Sequence, residues 1–232
     1  MITIIDYGIG NLRSIEKAFE AVGADVIRSD REDDITRADK VVLPGVGAFG
    51  ACAAEIRKRD LEGPIQDAID AGKPFLGVCV GMQLLFDVGE EMGSHEGLGV
   101  LPGRVLRFDA VPSPTAHESG PDPQNRSTRK GKPGGAWMDE LKIPHMGWNT
   151  IQKKRHSPLL AGLAPEAYFY FVHSFVAVPE AASDVLATSC YGVPFPAVVH
   201  RNNVFGVQFH PEKSQKNGLR ILRNFAELSL QR

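Results

Sequence analysis

The chain has 232 residues, 43% hydrophobic and 23% charged, which is the balance of an ordinary globular protein with one substantial core. Its formal net charge of -2 provides no field to draw it to nucleic acid or an anionic membrane surface. Three cysteines without framework spacing argue against a disulfide-stapled secreted domain, and no apolar run approaches the roughly 20 residues of a membrane helix.

Met1-Ile2-Thr3-Ile4-Ile5-Asp6 enters structure without a basic and apolar leader, so a cytoplasmic chain forming one domain over 1–232 is expected. Ile2 to Ile5 is a predicted strand, and Leu12 to Val22 carries apolar residues at helical spacing until Gly23 stops it. Val26-Ile27 and Val41-Val42-Leu43 are further strands. Helical stretches follow around Cys52 to Arg57 and Ile65 to Ala71, then an apolar run from Lys73 to Val78 and a helical pattern over Met82 to Phe86. This alternation predicts βαβ units and a parallel sheet.

The texture then changes. Val105 to Phe108, Tyr168 to Val172, Val185 to Thr188, Ala197 to His200 and Val204 to Phe209 read as strands with little helix between them. Arg201-Asn202-Asn203 is a hairpin turn, and Leu219 to Leu228 is a closing helix. The predicted whole is a single α/β sheet, mostly parallel at its centre, with antiparallel additions. Asp109 to Trp137 is rich in proline and glycine and reads as a flexible surface insertion. Its basic residues Arg126, Arg129, Lys130 and Lys132 have no aromatic partner for stacking a base, which favours a solvated loop over a nucleic-acid patch.

Gly77-Val78-Cys79-Val80-Gly81 sits at the junction of the Lys73 to Val78 strand and the following helix. Glycines let a strand turn sharply into a helix, which thrusts the central side chain into a cleft, and a helix N-terminus favours thiolate there. On this pentapeptide alone a core thiol and a nucleophile are equally open. Cys52 and Cys190 lack the flanking glycines.

A cysteine nucleophile needs a base, and the base needs an orienting group. Among the seven histidines, His95, His117 and His156 lie in polar or turn-like contexts, whereas His145, His173, His200 and His210 lie near apolar segments. His210 ends the strand Gly206-Val207-Gln208-Phe209 and precedes Pro211-Glu212. Residues two apart in an extended segment face the same way, so Glu212 is placed to orient His210. A polar turn leaving a strand is the simpler alternative for His-Pro-Glu alone. Its conjunction with the elbow is the layout of catalytic groups at the carboxyl edge of a parallel sheet.

An attacked carbonyl also needs donors for its oxyanion. Leu43-Pro44-Gly45-Val46-Gly47-Ala48-Phe49-Gly50 follows a strand at the same predicted edge. The backbone N–H groups of Gly45, Val46, Gly47 and Val80 are the candidates. A phosphate cradle and a plain tight turn remain alternatives, although the loop follows the third strand and no acidic ribose partner stands at the usual distance.

Pro74 to Gln83 together with Gly206 to Glu212 resembles the class I, triad-type glutamine amidotransferases. Ile5 to Ser14, Leu43 to Gly50, Pro144-His145-Met146-Gly147-Trp148-Asn149 and Tyr170 to Phe175 narrow the resemblance to glutaminase subunits of imidazole glycerol phosphate synthase. The resemblance implies a flavodoxin-like fold in which Cys79 forms a glutamyl thioester, His210 is base and acid, and Glu212 orients it. It also implies that Gln83, His173, Ser174 and Phe175 help hold glutamine, and that Asn11, Trp148 and Lys213 face a partner. That partner is a cyclase subunit with a (β/α)8-barrel fold, in a heterodimer, which receives the ammonia for histidine biosynthesis. No cofactor and no metal are implied.

Two departures are visible: Phe175 stands where tyrosine is frequent, and the 109–137 insertion is longer than usual. The alternatives are a glutaminase subunit for another acceptor, as in pyridoxal phosphate or anthranilate synthesis, or a non-enzymatic flavodoxin-like redox or binding module. Tyr7 to Ser14 and Pro144 to Asn149 weigh against the first, and His210 with Glu212 against the second.

Overall fold

A computed structural model describes residues 1–111 and 142–229. Most of the expected insertion, including its basic cluster and His117, lies outside the described residues.

The first half alternates as the apolar spacing predicts. Strands β1 (Ile2–Ile5), β2 (Val26–Ser29), β3 (Lys40–Gly45) and β4 (Phe75–Cys79) are interleaved with helices α1 (Leu12–Ala21), α2 (Glu32–Arg37), α3 (Phe49–Lys58) and α4 (Glu62–Asp70). β4 is buried along its whole length, which is why its sequence is a continuous apolar run rather than an alternation. Gly23 closes α1 at φ 82°, a conformation glycine adopts without steric cost. Helix α2 was not expected. It has six residues, with Glu32, Asp33 and Asp34 in its first turn and one buried side chain, Ile35, too short a stretch to show a period.

The helix expected over Met82 to Phe86 is corrected. α5 is a single turn, Val80–Gln83, and Phe86 already opens strand β5 (Phe86–Gly89). Tertiary hydrogen bonds end it: Leu98 N–H donates to the Leu84 carbonyl at 2.7 Å, and those of Val100 and Leu101 to the Leu85 carbonyl at 2.9 Å. An apolar stretch buried on all sides fits strand as well as helix.

The later strands are β6 (His95–Glu96), β7 (Leu101–Arg107), β8 (His145–Thr150), β9 (Gln152–Lys153), β10 (Tyr168–His173), β11 (Phe175–Pro179), β12 (Val185–Tyr191), β13 (Val193–Arg201) and β14 (Val204–Val207), with α6 (Gln215–Glu227) last. They do not all join one sheet as expected. The central sheet has eight strands in the order β2-β1-β3-β4-β14-β13-β12-β9, parallel from β2 to β14 and antiparallel beyond. β11-β7-β5-β6 and β10-β8 form separate small sheets. The expected hairpin joins β13 to β14, where Arg201 pairs with Val204 and Asn202 takes φ 53°.

α1 and α6 pack through Phe19 and Phe225, whose ring centroids are 6.2 Å apart, and both are fully buried. Among the described residues no helix is long and apolar enough to cross a membrane. Parallel register pairs Gly45 with Cys79 and Val207 with Val78, so β3, β4 and β14 end side by side. Every segment that leaves these three strands starts from one edge.

Candidate active site

Cys79 occupies φ 55°, ψ −112° and is 3% exposed. A non-glycine residue held there carries backbone strain of about 1–3 kcal/mol and persists only where its surroundings enforce it. The enforcement is close packing at glycine. A Cβ on Gly81 would lie 1.8 Å from the Leu43 carbonyl oxygen, and one on Gly77 would lie 2.6 Å from the Gly81 carbonyl oxygen. The strand-to-helix turn folds back on itself where Gly77 meets Gly81, packs on β3 where Gly81 meets Leu43, and presents the thiol at the sheet edge. Because α5 has only one turn, the helix-terminal support expected for a thiolate is small.

His210 reaches the same point from the end of β14. Its main chain is fixed by its N–H to the Tyr170 carbonyl at 2.9 Å and by the Ser214 hydroxyl, which donates to the His210 carbonyl at 2.6 Å. Nδ1 lies 2.9 Å from Glu212 Oε1, with both side chains nearly fully buried. Burial works against charge on His210, but hydrogen bonds from it to Cys79 and Glu212, and their charges, outweigh this and push it up to about 10. Burial alone would raise Glu212. Its hydrogen bond and ion pair with His210 hold it below the usual carboxylate range, helped by Asn11.

A cavity of about 400 Å³ opens over the thiol. Cys79, Val80 and Gln83 line one side, Val46 and Gly47 another, and His173, Ser174, Phe175, His210 and Lys213 the rest. Gly47 sits at φ 85°. Gly45 does not line this cavity; a Cβ on it would come 2.7 Å from the Gly81 nitrogen, so the end of β3 packs directly against α5. The phosphate-cradle alternative loses its anchor. The Phe49 N–H that opens α3 already donates to Glu91 Oε2 at 2.7 Å, so a carboxylate occupies that helix terminus. A larger cavity, about 620 Å³ over Lys153 to Gly162, contains none of these residues.

The predicted glutamine-holding residues differ in what they present. Gln83 is 4% exposed, and its amide nitrogen donates to the Phe175 carbonyl at 3.1 Å and to Gln208 Oε1 at 3.0 Å. The His173 ring is turned into an aromatic cluster with Phe108, Phe171 and Phe195, and lies 3.1 Å from His145. Burial pushes His173 down to about 3, so it is neutral. Gln208 was not singled out from sequence. It is fully buried with its amide nitrogen 3.8 Å from Cys79 Sγ. The available signal was a lone amide in an apolar strand, two residues before His210.

The three expected partner-facing residues separate. Trp148 is 47% exposed on β8, stacked edge to face on Tyr170, and Lys213 Nζ lies 5.8 Å from the centre of the same Tyr170 ring. Asn11 points elsewhere: its amide donates to Glu212 Oε1 at 3.2 Å.

Residues 3–228 match the class-I glutamine amidotransferase family. The chain is 60% identical to imidazole glycerol phosphate synthase subunit HisH of Salinibacter ruber, across 98% of this chain and 94% of that one. It is 46% identical to the subunit of that name from Syntrophotalea carbinolica, across 98% and 100%. Among solved structures, one titled as a glutamine amidotransferase aligns over 98% of this chain and 99% of its own, with a TM-score of 0.67 at 17% identity. The PurLQS structure from Thermotoga maritima aligns over 97% and 96%, with a TM-score of 0.66 at 17% identity. These last two establish the fold alone. The chain belongs to the class-I glutamine amidotransferases, in the family of imidazole glycerol phosphate synthase subunit HisH.

Proposed function

We propose that this chain is the glutaminase subunit of an imidazole glycerol phosphate synthase, hydrolysing glutamine to glutamate and ammonia and passing the ammonia to a cyclase partner in the cytoplasm for histidine biosynthesis. The observation that carries the site assignment is the His210–Glu212 pair at 2.9 Å, facing a strained elbow cysteine across one cavity.

In this mechanism Cys79 Sγ attacks the side-chain amide carbon of glutamine while His210 holds the thiol proton. Backbone N–H groups of Val80 and of the Gly45-Val46-Gly47 segment stabilise the oxyanion. His210 then protonates the leaving nitrogen, ammonia departs and a glutamyl thioester remains. Water, deprotonated by His210, hydrolyses it to glutamate and the free thiol. Glu212 holds the imidazole and stabilises its charged form. Gln83 and the His173-Ser174-Phe175 main chain line the space for the amino acid.

The partner is a (β/α)8-barrel cyclase, docked as a heterodimer on the outer face of β8 and β10. Support comes from Met146, Trp148 and Tyr168, which are 62%, 47% and 53% exposed there, an unusual concentration of large apolar side chains on a surface. Val172 on the same strand pair lines the cavity over Cys79, so this face adjoins the chemistry. Channelling has a physical reason, because ammonia released into neutral water is protonated and loses its nucleophilicity.

The test is reconstitution of the full chain with its cyclase and the phosphoribulosyl substrate. Glutamine should support synthesis of imidazole glycerol phosphate, and the chain alone should release ammonia slowly. Robust turnover without a partner counts against partner activation. Failure of glutamine to support synthesis while free ammonia does so rejects the assigned role.

A further inference from the structure

The buried hydrogen bonds around Cys79 can be assigned from one fixed point, the Phe175 carbonyl, which only accepts. Gln83 must turn its amide nitrogen toward that oxygen, at 3.1 Å. The same nitrogen lies 3.0 Å from Gln208, so the Gln208 atom facing it must be the acceptor Oε1. Nothing is then left to choose: the other end of the Gln208 amide, Nε2, is the one 3.8 Å from Cys79 Sγ. The second lone pair of the Phe175 carbonyl accepts from His173 Nδ1 at 2.9 Å, which fixes that residue's tautomer as well.

We propose that Gln208 is a positioning residue for Cys79, donating a side-chain N–H to its sulfur and so favouring the thiolate over the thiol. The proposal rests on Cys79 being the nucleophile. A neutral donor to a charged sulfur is a charge-assisted hydrogen bond, stronger to the thiolate than to the thiol. It replaces the support that a one-turn α5 does not give. Gln208 is fully buried, so no water competes for the sulfur from that side. Other titratable groups surround the thiol: His210 backed by Glu212, Tyr7 just past β1 and Cys52 on α3, while Glu91 and Lys213 line the cavity over it. None of them shares the Gln83 amide as Gln208 does.

Iodoacetamide alkylation of the full chain, quantified at each cysteine by mass spectrometry from about pH 5 to pH 10, reads the thiolate fraction of Cys79. Exposed Cys190 is the internal control. Gln208→Met keeps the side-chain length, removes the donor and adds no charge. It should move the Cys79 midpoint upward, slow its alkylation near neutral pH about tenfold and lower kcat in the cyclase complex by a similar factor, with a smaller change in KM. Gln208→Asn withdraws the donor by one methylene and should have a smaller effect, which keeps the test available if the methionine variant does not fold. A folded variant with lower thermal stability but an unchanged Cys79 midpoint overturns the proposal. Failure of the wild-type complex to hydrolyse glutamine would instead reject the functional assignment, and the alkylation midpoints would still be readable.

Discussion

Asn11 and His210 share one oxygen atom of Glu212: the Asn11 amide donates to Oε1 at 3.2 Å, and His210 Nδ1 lies 2.9 Å from it. Oε2 of the same carboxylate has no hydrogen-bond partner among the described residues. The orientation of the imidazole therefore rests on one oxygen, and Asn11 helps hold that oxygen in place. Replacing Asn11 by Ala should lower kcat about three- to tenfold with little change in KM, because the loss is in the geometry of the base. Steady-state glutaminase kinetics of the cyclase complex check this. A raised KM with unchanged kcat would return Asn11 to an interface role.

Cys79→Ala should abolish glutamine-dependent synthesis by the complex and leave ammonia-dependent synthesis intact, since the cyclase needs only the nucleophile that this chain delivers. Product formation from each nitrogen source, measured side by side, separates the two. Loss of both would mean that the division of labour between the subunits is wrong.

What was legible in the sequence is what local pattern encodes. Alternating apolar runs gave the parallel strands, and Gly77, Gly81 and the His210-Pro211-Glu212 tripeptide lie at strand ends that register brings together. What was not legible depends on contacts distant along the chain. α5 is short because residues near Leu98 and Val100 capture its following carbonyls. Asn11 faces inward because Glu212, 201 positions away, offers an acceptor. Gln208 looked like a strand residue because its partners, Gln83 and Cys79, belong to another segment.

The loop proposed to supply the oxyanion donors is braced on both sides by side chains. The Tyr7 hydroxyl donates to the Pro44 carbonyl at 2.8 Å, and the Cys52 thiol to the Val46 carbonyl at 3.4 Å. The Gly45–Val46 peptide lies between the two braced carbonyls. Tyr7→Phe leaves a buried carbonyl unpaired and should cost about 1–2 kcal/mol of stability. If the resting loop holds a donor away from the oxyanion, the same variant should raise partner-free ammonia release several-fold and narrow the activation by the cyclase. Urea unfolding and glutaminase assays with and without cyclase give both numbers. A stability loss with unchanged partner-free activity would show that the brace does not restrain the loop.

His145 and His173 give the fold an acid sensitivity whose sign follows from their burial. Desolvation lowers His145 to about 4 and His173 to about 3, against 6.5 for the free side chain. Both stay neutral in the native state, where Tyr191 and Phe171 stack on His145 and Phe195 packs on His173. As pH falls through about 6.5 the unfolded chain binds two protons that the native state refuses, so stability declines until the native values are reached. His210 has the opposite sign: raised to about 10, it contributes stability that is complete below 6.5 and is lost as pH climbs toward 10. Glu212, held low, contributes stability that disappears only as pH falls through its own depressed value, below the window in question. The expectation from these groups is a loss on the order of 2–3 kcal/mol between about pH 7 and pH 5, from His145 and His173 less the smaller gain at His210, and His200, which burial also lowers, adds to it with the same sign. Urea unfolding across that range measures it directly. His145→Phe, which keeps an aromatic ring in the cluster, should reduce the slope by roughly half. A variant with the wild-type slope would mean that His145 takes up its proton as readily in the folded protein as in the unfolded chain.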